Sequence, residues 1–395
     1  MNNKNRNNFF SLNLNNFYKI DKKIIEQTTN ILNNDKLIII SWMRKIWKIN
    51  FIKNLINITK TNNNYFYFNK SDDLENKIKN NLDILNLLNN YVQLYKIPKI
   101  IILQNISKIE WIKKFISYLY KNKYKVILLW NDIQISWIKE IEIKTKLNIN
   151  SENLNTTLKY WWLDLIKNID NIYIKESILD ITKNDIFLNS IFKDFSVKSI
   201  DLYIFTITFL AKYNKFNSLR ELQKELNQIN KISLKTVIDY IDFSIQAKII
   251  KRCYKYDLKN KNIITSKAKY YFNDNWIRNS LANFNINNVL LLENLIYNIL
   301  DYNNYKVFSG LNWKFEFSFY WEKEAEKIFI HISKTEKKED FKKEINKLNK
   351  IKIDWVKYLL VKNFESLKIK KTKYDNVIIL EINDFLINFK KDNNL

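Results

Sequence analysis

The chain has 395 residues, of which 46% are apolar, with a formal net charge of +25 and one each of cysteine, proline and glycine. That length exceeds what a single core serves, so two or three globular domains are expected, and a lone cysteine excludes a disulfide-stapled scaffold. No apolar run approaches the roughly 18 residues of a membrane span, and Cys253 alone fits a reducing compartment, so a cytoplasmic location is expected.

The start, MNNKNRNNFFSLNLNN, lacks the apolar core of a signal peptide and reads as a disordered polar arm over 1–22. From about Lys23 to Ser190, the short apolar runs Leu37–Ile40, Tyr65–Phe68, Ile100–Leu103 and Val126–Leu129 alternate with longer helical stretches. That alternation predicts a mostly parallel sheet covered by helices on both faces. From Ile200 to Phe272 the texture changes to three short helices and a hairpin. Ser218 is placed to cap SLRELQKEL, and Ser233 to cap SLKTVIDYIDFSIQ, whose Leu234, Val237, Ile238, Ile241 and Ile245 follow helical spacing. KIIKRCYKY, the turn around DLKNKN, and NIIT then form a wing, so the segment predicts a helix-turn-helix with a wing. From about Asn288, the helix LLLENLIYNIL leads into three strand-like runs, a charged helix and a further α/β ending.

The surplus of Asn, Lys, Ile, Tyr and Phe is what an extremely AT-rich genome encodes, which would spread positive charge over every surface. The alternative is a clustered basic face for nucleic acid, since Lys and Arg neutralising phosphates supply most non-specific affinity.

The stretch SWMRKIWKIN at 41–50 follows the first strand and precedes a helix. With glycine in place of both tryptophans it becomes GMRKIGK, the G-x-x-x-x-G-K of a phosphate-binding loop. In this and other motifs the chain resembles the AAA+ ATPase family whose P-loop domain is followed by a winged helix and a domain of unknown function related to PD-(D/E)xK nucleases. The resemblance covers about Lys23 to Phe389. The family's G-x-R-R-x-G-K-S/T falls on Trp42 to Ile49, with Arg44 and Lys45 as the basic pair and Lys48 as the phosphate lysine. Its strand ending Asp-Glu-Ile-Gln falls on Leu103–Ser107, followed by its tryptophan at Trp111, and its sensor strand ending Gly-Ser falls on Leu129, Trp130 and Asn131. Its Gly-Arg falls on Trp137 and Ile138, and its Gly-Gly-Leu-Pro on Trp161, Trp162, Leu163 and Asp164. YYFNDNWIRNSL and LLLENLIYNIL match its tyrosine-rich strand and its Leu-Glu-Asn helix. Tryptophan thus stands for glycine at 42, 47, 130, 137, 161, 162 and 276, and Trp313 and Trp321 are expected in loops where glycine would be natural. Trp111 and Trp355 read as ordinary tryptophans. Some bacterial lineages read UGA as glycine, and translation of UGA as tryptophan would produce this pattern. UGG at those nine codons would sink the idea.

The resemblance implies α/β architecture: a P-loop ATPase-like parallel-sheet domain over 23–195, a winged helix over 196–284 and a small nuclease-like domain over 285–395. It implies ATP as the nucleotide, cradled by Trp42, Arg44, Lys45, Trp47, Lys48, Ile49 and Asn50. Two indoles would fill that cradle, whereas glycines would open it. The family's metal-binding Ser/Thr is Ile49, and its acidic pair is Gln104 and Asn105, with Asn131 beside them as a degenerate catalytic set. Mg²⁺ therefore lacks its usual ligands and hydrolysis is expected to be impaired. In the last domain, the pattern of Glu-x-Asp followed by Glu/Gln and Lys is reduced to Glu316, Ser318, His331 and Lys334, and no metal centre is expected. Duplex DNA is the second expected partner, through Lys235 and Thr236 at the recognition-helix start and Lys248, Lys251, Arg252 and Lys255 on the wing. The alternative functions are a non-enzymatic DNA-binding protein, or a structural protein with neither binding activity.

Overall fold

The structure is a computed structural model describing residues 22–41, 55, 64–70, 78–104, 106, 109–129, 138–142, 171–187, 191–195, 197–213, 218–283, 288–312, 315–323, 326–335, 337–352, 355–362, 364–367, 373–374 and 376–386. Its contacts divide the chain into two compact units, Met1–Lys144 and Thr145–Leu395.

The first unit contains α1 (Lys22–Asp35), β1 (Leu37–Ser41), β2 (Tyr65–Asn69), α2 (Asn81–Tyr95), β3 (Ile100–Gln104), α3 (Ile112–Lys121), β4 (Val126–Leu129) and β5 (Lys139–Glu142). The strands form one sheet in the order β2-β3-β4-β1-β5, and every pairing is parallel. Continuous β-branched runs suit strands buried on both faces, and β1, β3 and β4 are buried along their whole length. Alternate residues feed two cores. Leu37, Ile39, Ile101, Leu103, Val126 and Leu128 pack with Ile84, Leu88, Phe115 and Leu119 of α2 and α3. Ile38, Ile40, Ile102, Ile127 and Leu129 pack with Leu32 of α1 and with Leu55, which is helical.

Local signals set the helix ends. Asn80 accepts hydrogen bonds from the Leu82 and Asp83 amides while Asp83 accepts from the Asn80 amide, a reciprocal cap that starts α2. Ile112, Phe115, Ile116 and Leu119 form the buried stripe of α3, with spacing that keeps apolar side chains on one face.

The second unit opens with helices α4 (Ile172–Ile186), α5 (Phe192–Phe195), α6 (Ile200–Tyr213), α7 (Leu219–Leu226) and α8 (Leu234–Gln246). The hairpin of β6 (Ile250–Asp257) and β7 (Asn262–Phe272) follows, then α9 (Asn275–Leu281), α10 (Asn288–Tyr302), β8 (Lys306–Asn312), β9 (Phe315–Lys323) and β10 (Glu326–Ile332). It ends with α11 (Lys338–Asn349), β11 (Val356–Val361), α12 (Phe364–Leu367), β12 (Lys373–Tyr374) and β13 (Val377–Glu381). Ser218 and Ser233 cap α7 and α8 through the Glu221 and Thr236 amides. The inner side of α8 is Val237, Tyr240, Ile241 and Ser244, while Ile238, despite its spacing, is 37% exposed.

All eight strands join one sheet in the order β12-β13-β11-β10-β9-β8-β6-β7. The hairpin pairs through β6 with β8 in parallel, Lys255 to Leu311 being the span of that register. The boundary expected at 284/285 therefore falls inside one hydrogen-bonded sheet. Trp321, expected in a loop, lies within β9, paired with Val307 and Ile328 and stacked on Tyr305 with ring centroids 4.7 Å apart. Its aromatic neighbours suit a pleated, half-covered surface, and that preference overrides the loop reading. Among the described residues, no helix is long and apolar enough to cross a membrane.

Gly310, the single glycine, sits on β8 where the β8–β9 register shifts, opposite Phe317. A Cβ at this position would fall within the Phe317 ring. Gly310→Ala should therefore destabilise the second unit by about 1–3 kcal/mol through overpacking. A urea melt that superimposes on the parent's would refute this.

Candidate functional site

Five parallel strands share one carboxyl edge. The chain leaving β1 travels past β4 and β3 to β2, whereas the chain leaving β4 crosses β1 to reach β5. Right-handed crossovers running in opposite directions lie on opposite faces of a sheet, so a crevice opens between the carboxyl ends of β1 and β4. Ser41 ends β1, and Trp42 is the next residue in the chain; Leu129 ends β4 and is followed by Trp130 and Asn131. Trp42–Asn50, Asn105, Trp130, Asn131, Trp137, Trp161, Trp162 and Trp313 lie outside the described residues.

Gln104 ends β3 in the same register row as Leu129 and Ile40. With strands about 4.8 Å apart, it stands about 10 Å from Ile40 across β4. Its side chain is 7% exposed, and its Oε1 accepts a 3.0 Å hydrogen bond from the Tyr67 hydroxyl of the neighbouring strand. A neutral amide held this way accepts a hydrogen bond but offers no carboxylate charge to a divalent cation. Ile138, at the expected arginine position, is a core residue at 9% exposure. Among the described residues, no cluster of three His, Cys, Asp or Glu side chains could hold a metal. The residues present do not fit Mg²⁺.

The helix-turn-helix candidates divide. Lys235 is exposed at the start of α8, and the Thr236 hydroxyl pairs with the Ser233 hydroxyl at 2.8 Å within the cap. Lys248 follows α8 in the left-handed region, at φ 58°. Lys251 pairs with Asp301 of α10, and Arg252 Nη2 donates to Asp242 at 2.7 Å beside the rings of Tyr254 and Tyr270. Lys255, expected to meet phosphate, is 2% exposed and pairs with Glu316 of β9. Lys251 and Arg252 are thus held by helix carboxylates, and Lys255 by a carboxylate of the sheet that the hairpin joins.

Glu316 is thus a lysine partner, with its side chain 42% exposed. Ser318 Oγ accepts from the Ile332 amide at 3.1 Å, across from β10. His331 is buried against the Phe315 ring, with Nε2 3.9 Å from Glu344 Oε1 of α11, while Lys334 is exposed after β10. These four residues do not assemble a set of metal carboxylates.

The sequence reading missed the polar layer beneath them. Lys269 of β7 donates to Glu293 of α10 at 3.2 Å, and both are nearly enclosed. Burial favours the neutral acid, but Lys269, with Lys334 and His331 beyond, outweighs it and holds the Glu293 carboxyl below its ordinary range. Burial opposes the Lys269 charge too, yet Glu293 outweighs it and raises the ammonium. Beside them, burial pushes the Cys253 thiol up to about 12, which makes it inert. The adjacent Asn294 serves the same strand: its Oδ1 accepts from the Phe272 amide at 2.7 Å, and its Nδ2 donates to the Phe272 carbonyl at 2.8 Å. The signal was present in LLLENLIYNIL, where a lone carboxylate in an apolar helix demands a buried counter-charge.

No protein-family model matches the chain, and no curated protein does. Among solved structures the chain is similar to the Walker-type ATPase paby2304 of Pyrococcus abyssi, at 10% identity and a TM-score of 0.44, covering 67% of this chain and 96% of that one. It is also similar to the replication initiator DnaA bound to AMPPCP and single-stranded DNA, at 14% identity and a TM-score of 0.29, covering 59% and 90%.

Breaking a buried pair leaves an uncompensated charge, so Lys269→Met should cost about 3–5 kcal/mol. Glu293 titrates lower in the folded protein than in the unfolded chain. Its stabilising contribution is therefore full above the unfolded carboxylate pKa of about 4.3 and fades as pH falls through the folded value. Denaturation midpoints measured downward from neutral pH should fall less steeply for Glu293→Gln than for the parent. Parallel pH profiles would remove the pair from the acid response.

Proposed function

We propose that the protein is a nucleotide-binding protein of AAA+ type that takes ATP in the crevice after β1 and hydrolyses it poorly. The observation that carries this reading is the parallel order β2-β3-β4-β1-β5, which puts the end of β1 at a topological switch point just where the Trp42–Asn50 motif begins. Leu55, helical and buried on the Ile38/Ile40 face, supports a strand-loop-helix unit. In such a unit, loop amides cradle the phosphates, Lys48 reaches the terminal ones, and Arg44 and Lys45 add positive field. Poor hydrolysis follows from Ile49, Gln104 and Asn105, none of which supplies the charged ligand that metal-assisted phosphoryl transfer requires. Asn131 would be the remaining polar group near the phosphates.

The reading includes glycine in place of tryptophan at 42, 47, 161 and 162 in the native protein. Peptide masses over 37–48 and 159–167 from the native organism decide that point. A fluorescent ATP analogue should bind W42G/W47G at least tenfold more tightly than the chain carrying both indoles, and K48A in the glycine background should lose that gain. ATP turnover should stay near background in all three. Equal affinities, or rapid turnover without a carboxylate at 104 or 105, would overturn the proposal.

A second reading, duplex DNA contact through α8, is favoured by the exposed Lys235 at a helix start capped by Ser233. Lys251, Arg252 and Lys255 are committed to carboxylates. Removing one phosphate contact lowers the log–log salt slope by about 0.9, so K235A should do so on a blunt duplex. An unchanged slope would leave α8 as a packing element.

A further inference from the structure

Helix α3 buries one side and offers the other. Trp111, Lys114, Tyr118 and Lys121 follow one another at steps of three, four and three residues, which stacks them along one helix face. Lys113, Lys114, Ser117, Tyr118 and Lys121 line a shallow groove there. Trp111 is 56% exposed and Tyr118 41% exposed, large apolar areas to leave in water. Trp111 also holds φ 59°, ψ 20° and makes no side-chain cap bond, so its ring is displayed from a backbone conformation that disfavours it. Lys114 Nζ lies 4.1 Å from the centre of that ring.

The charged residues of α3 itself, Lys113, Lys114 and Lys121, have one sign. From Trp111 to Asn131 the chain has five lysines, at 113, 114, 121, 123 and 125, and no Asp or Glu. Lys125 donates to Asn33, and Glu110, just before the helix, is the nearest acid in the chain. The clustering that distinguishes a binding face from charge spread everywhere is therefore met here.

We propose that this face of α3 binds single-stranded nucleic acid. Trp111 and Tyr118 serve as stacking platforms, and Lys113, Lys114 and Lys121 meet the phosphates. Seven residues of helix separate the two rings by about 10 Å along the axis, which suits splayed bases rather than the 3.4 Å stack of a duplex. Paired bases hide their faces from a convex helix, whereas unpaired bases stack on aromatic rings without sequence preference. A base arriving on Trp111 displaces Lys114 Nζ toward the adjoining phosphate. The face is on the opposite side of α3 from its core and owes nothing to nucleotide in the crevice or to α8.

The test is fluorescence anisotropy of a labelled oligo-dT of about fifteen nucleotides with the full chain, titrated at several salt concentrations, with melting curves confirming that each variant folds. W111A/Y118A should weaken binding at least about thirtyfold with the salt slope retained. K113Q/K121Q should lower the slope by about 1.4, the share of two phosphate contacts on a single strand. K235A should bind oligo-dT as the parent does. The proposal is overturned if the parent fails to bind oligo-dT at low salt, if the α3 variants bind as the parent does, or if a blunt duplex or poly-glutamate competes as well as unlabelled oligo-dT.

Discussion

A parallel strand hydrogen-bonded on both sides and covered on both faces has no place for a polar side chain until it ends. That constraint acts on β1, which lies between β4 and β5 with Leu37 through Ile40 enclosed. Its first polar residue is Ser41, and only there is the chain released to the carboxyl edge. The same constraint makes β3 and β4 apolar throughout and delays Gln104 to the last position of its strand. Polar side chains on these central strands are therefore held back to the strand ends.

The second unit solves a different problem. Its hairpin extends a mixed sheet, which brings basic strands over carboxylates from α10 and β9. Lysines at 255 and 269, on the two paired strands of the hairpin, neutralise Glu316 and Glu293. A divalent cation entering there would have to displace an ammonium from each carboxylate. This layer accounts for the inward turn of Lys255, and it makes the hairpin part of the sheet's electrostatic balance. Asn294 completes the arrangement by satisfying both backbone groups of Phe272.

Much of the fold was legible in sequence because strands buried on both faces must be written in uninterrupted Ile, Leu and Val. The runs at Leu37, Ile100 and Val126 each appear as strands within a residue of their expected ends, and Ser218 and Ser233 cap the helices they precede. Periodicity served less well where it depended on partners far along the chain. Ile238 has the right spacing for the core of α8 yet is exposed, and Trp321 was read as a loop residue because its strand neighbours Val307 and Ile328 are remote in sequence. For the candidate sites, residue types showed what chemistry was lost, as with Gln104. They did not show that Lys251, Arg252 and Lys255 would be drawn to Asp301, Asp242 and Glu316, because those partners, 10 to 61 positions away, are brought near by α10, α8 and β9.

The described tryptophans do not all behave alike, and the difference bears on which positions tolerate an indole. Trp355 stacks on Tyr320 at 4.8 Å and Trp321 on Tyr305 at 4.7 Å, so each ring belongs to an aromatic layer of the second unit. Trp276 is fully enclosed on α9, a helix whose seven residues are all buried, and its indole N–H has no acceptor. A buried donor without a partner costs about 1–3 kcal/mol, a penalty that glycine at the same position would not carry. Glycine at 321 would instead remove a stacked ring and leave a void beside Tyr305, whereas glycine at 276 would relieve the orphaned donor at the expense of filled volume. Packing therefore favours tryptophan more strongly at 321, where the ring fills an aromatic layer, than at 276, where an enclosed donor is left unsatisfied.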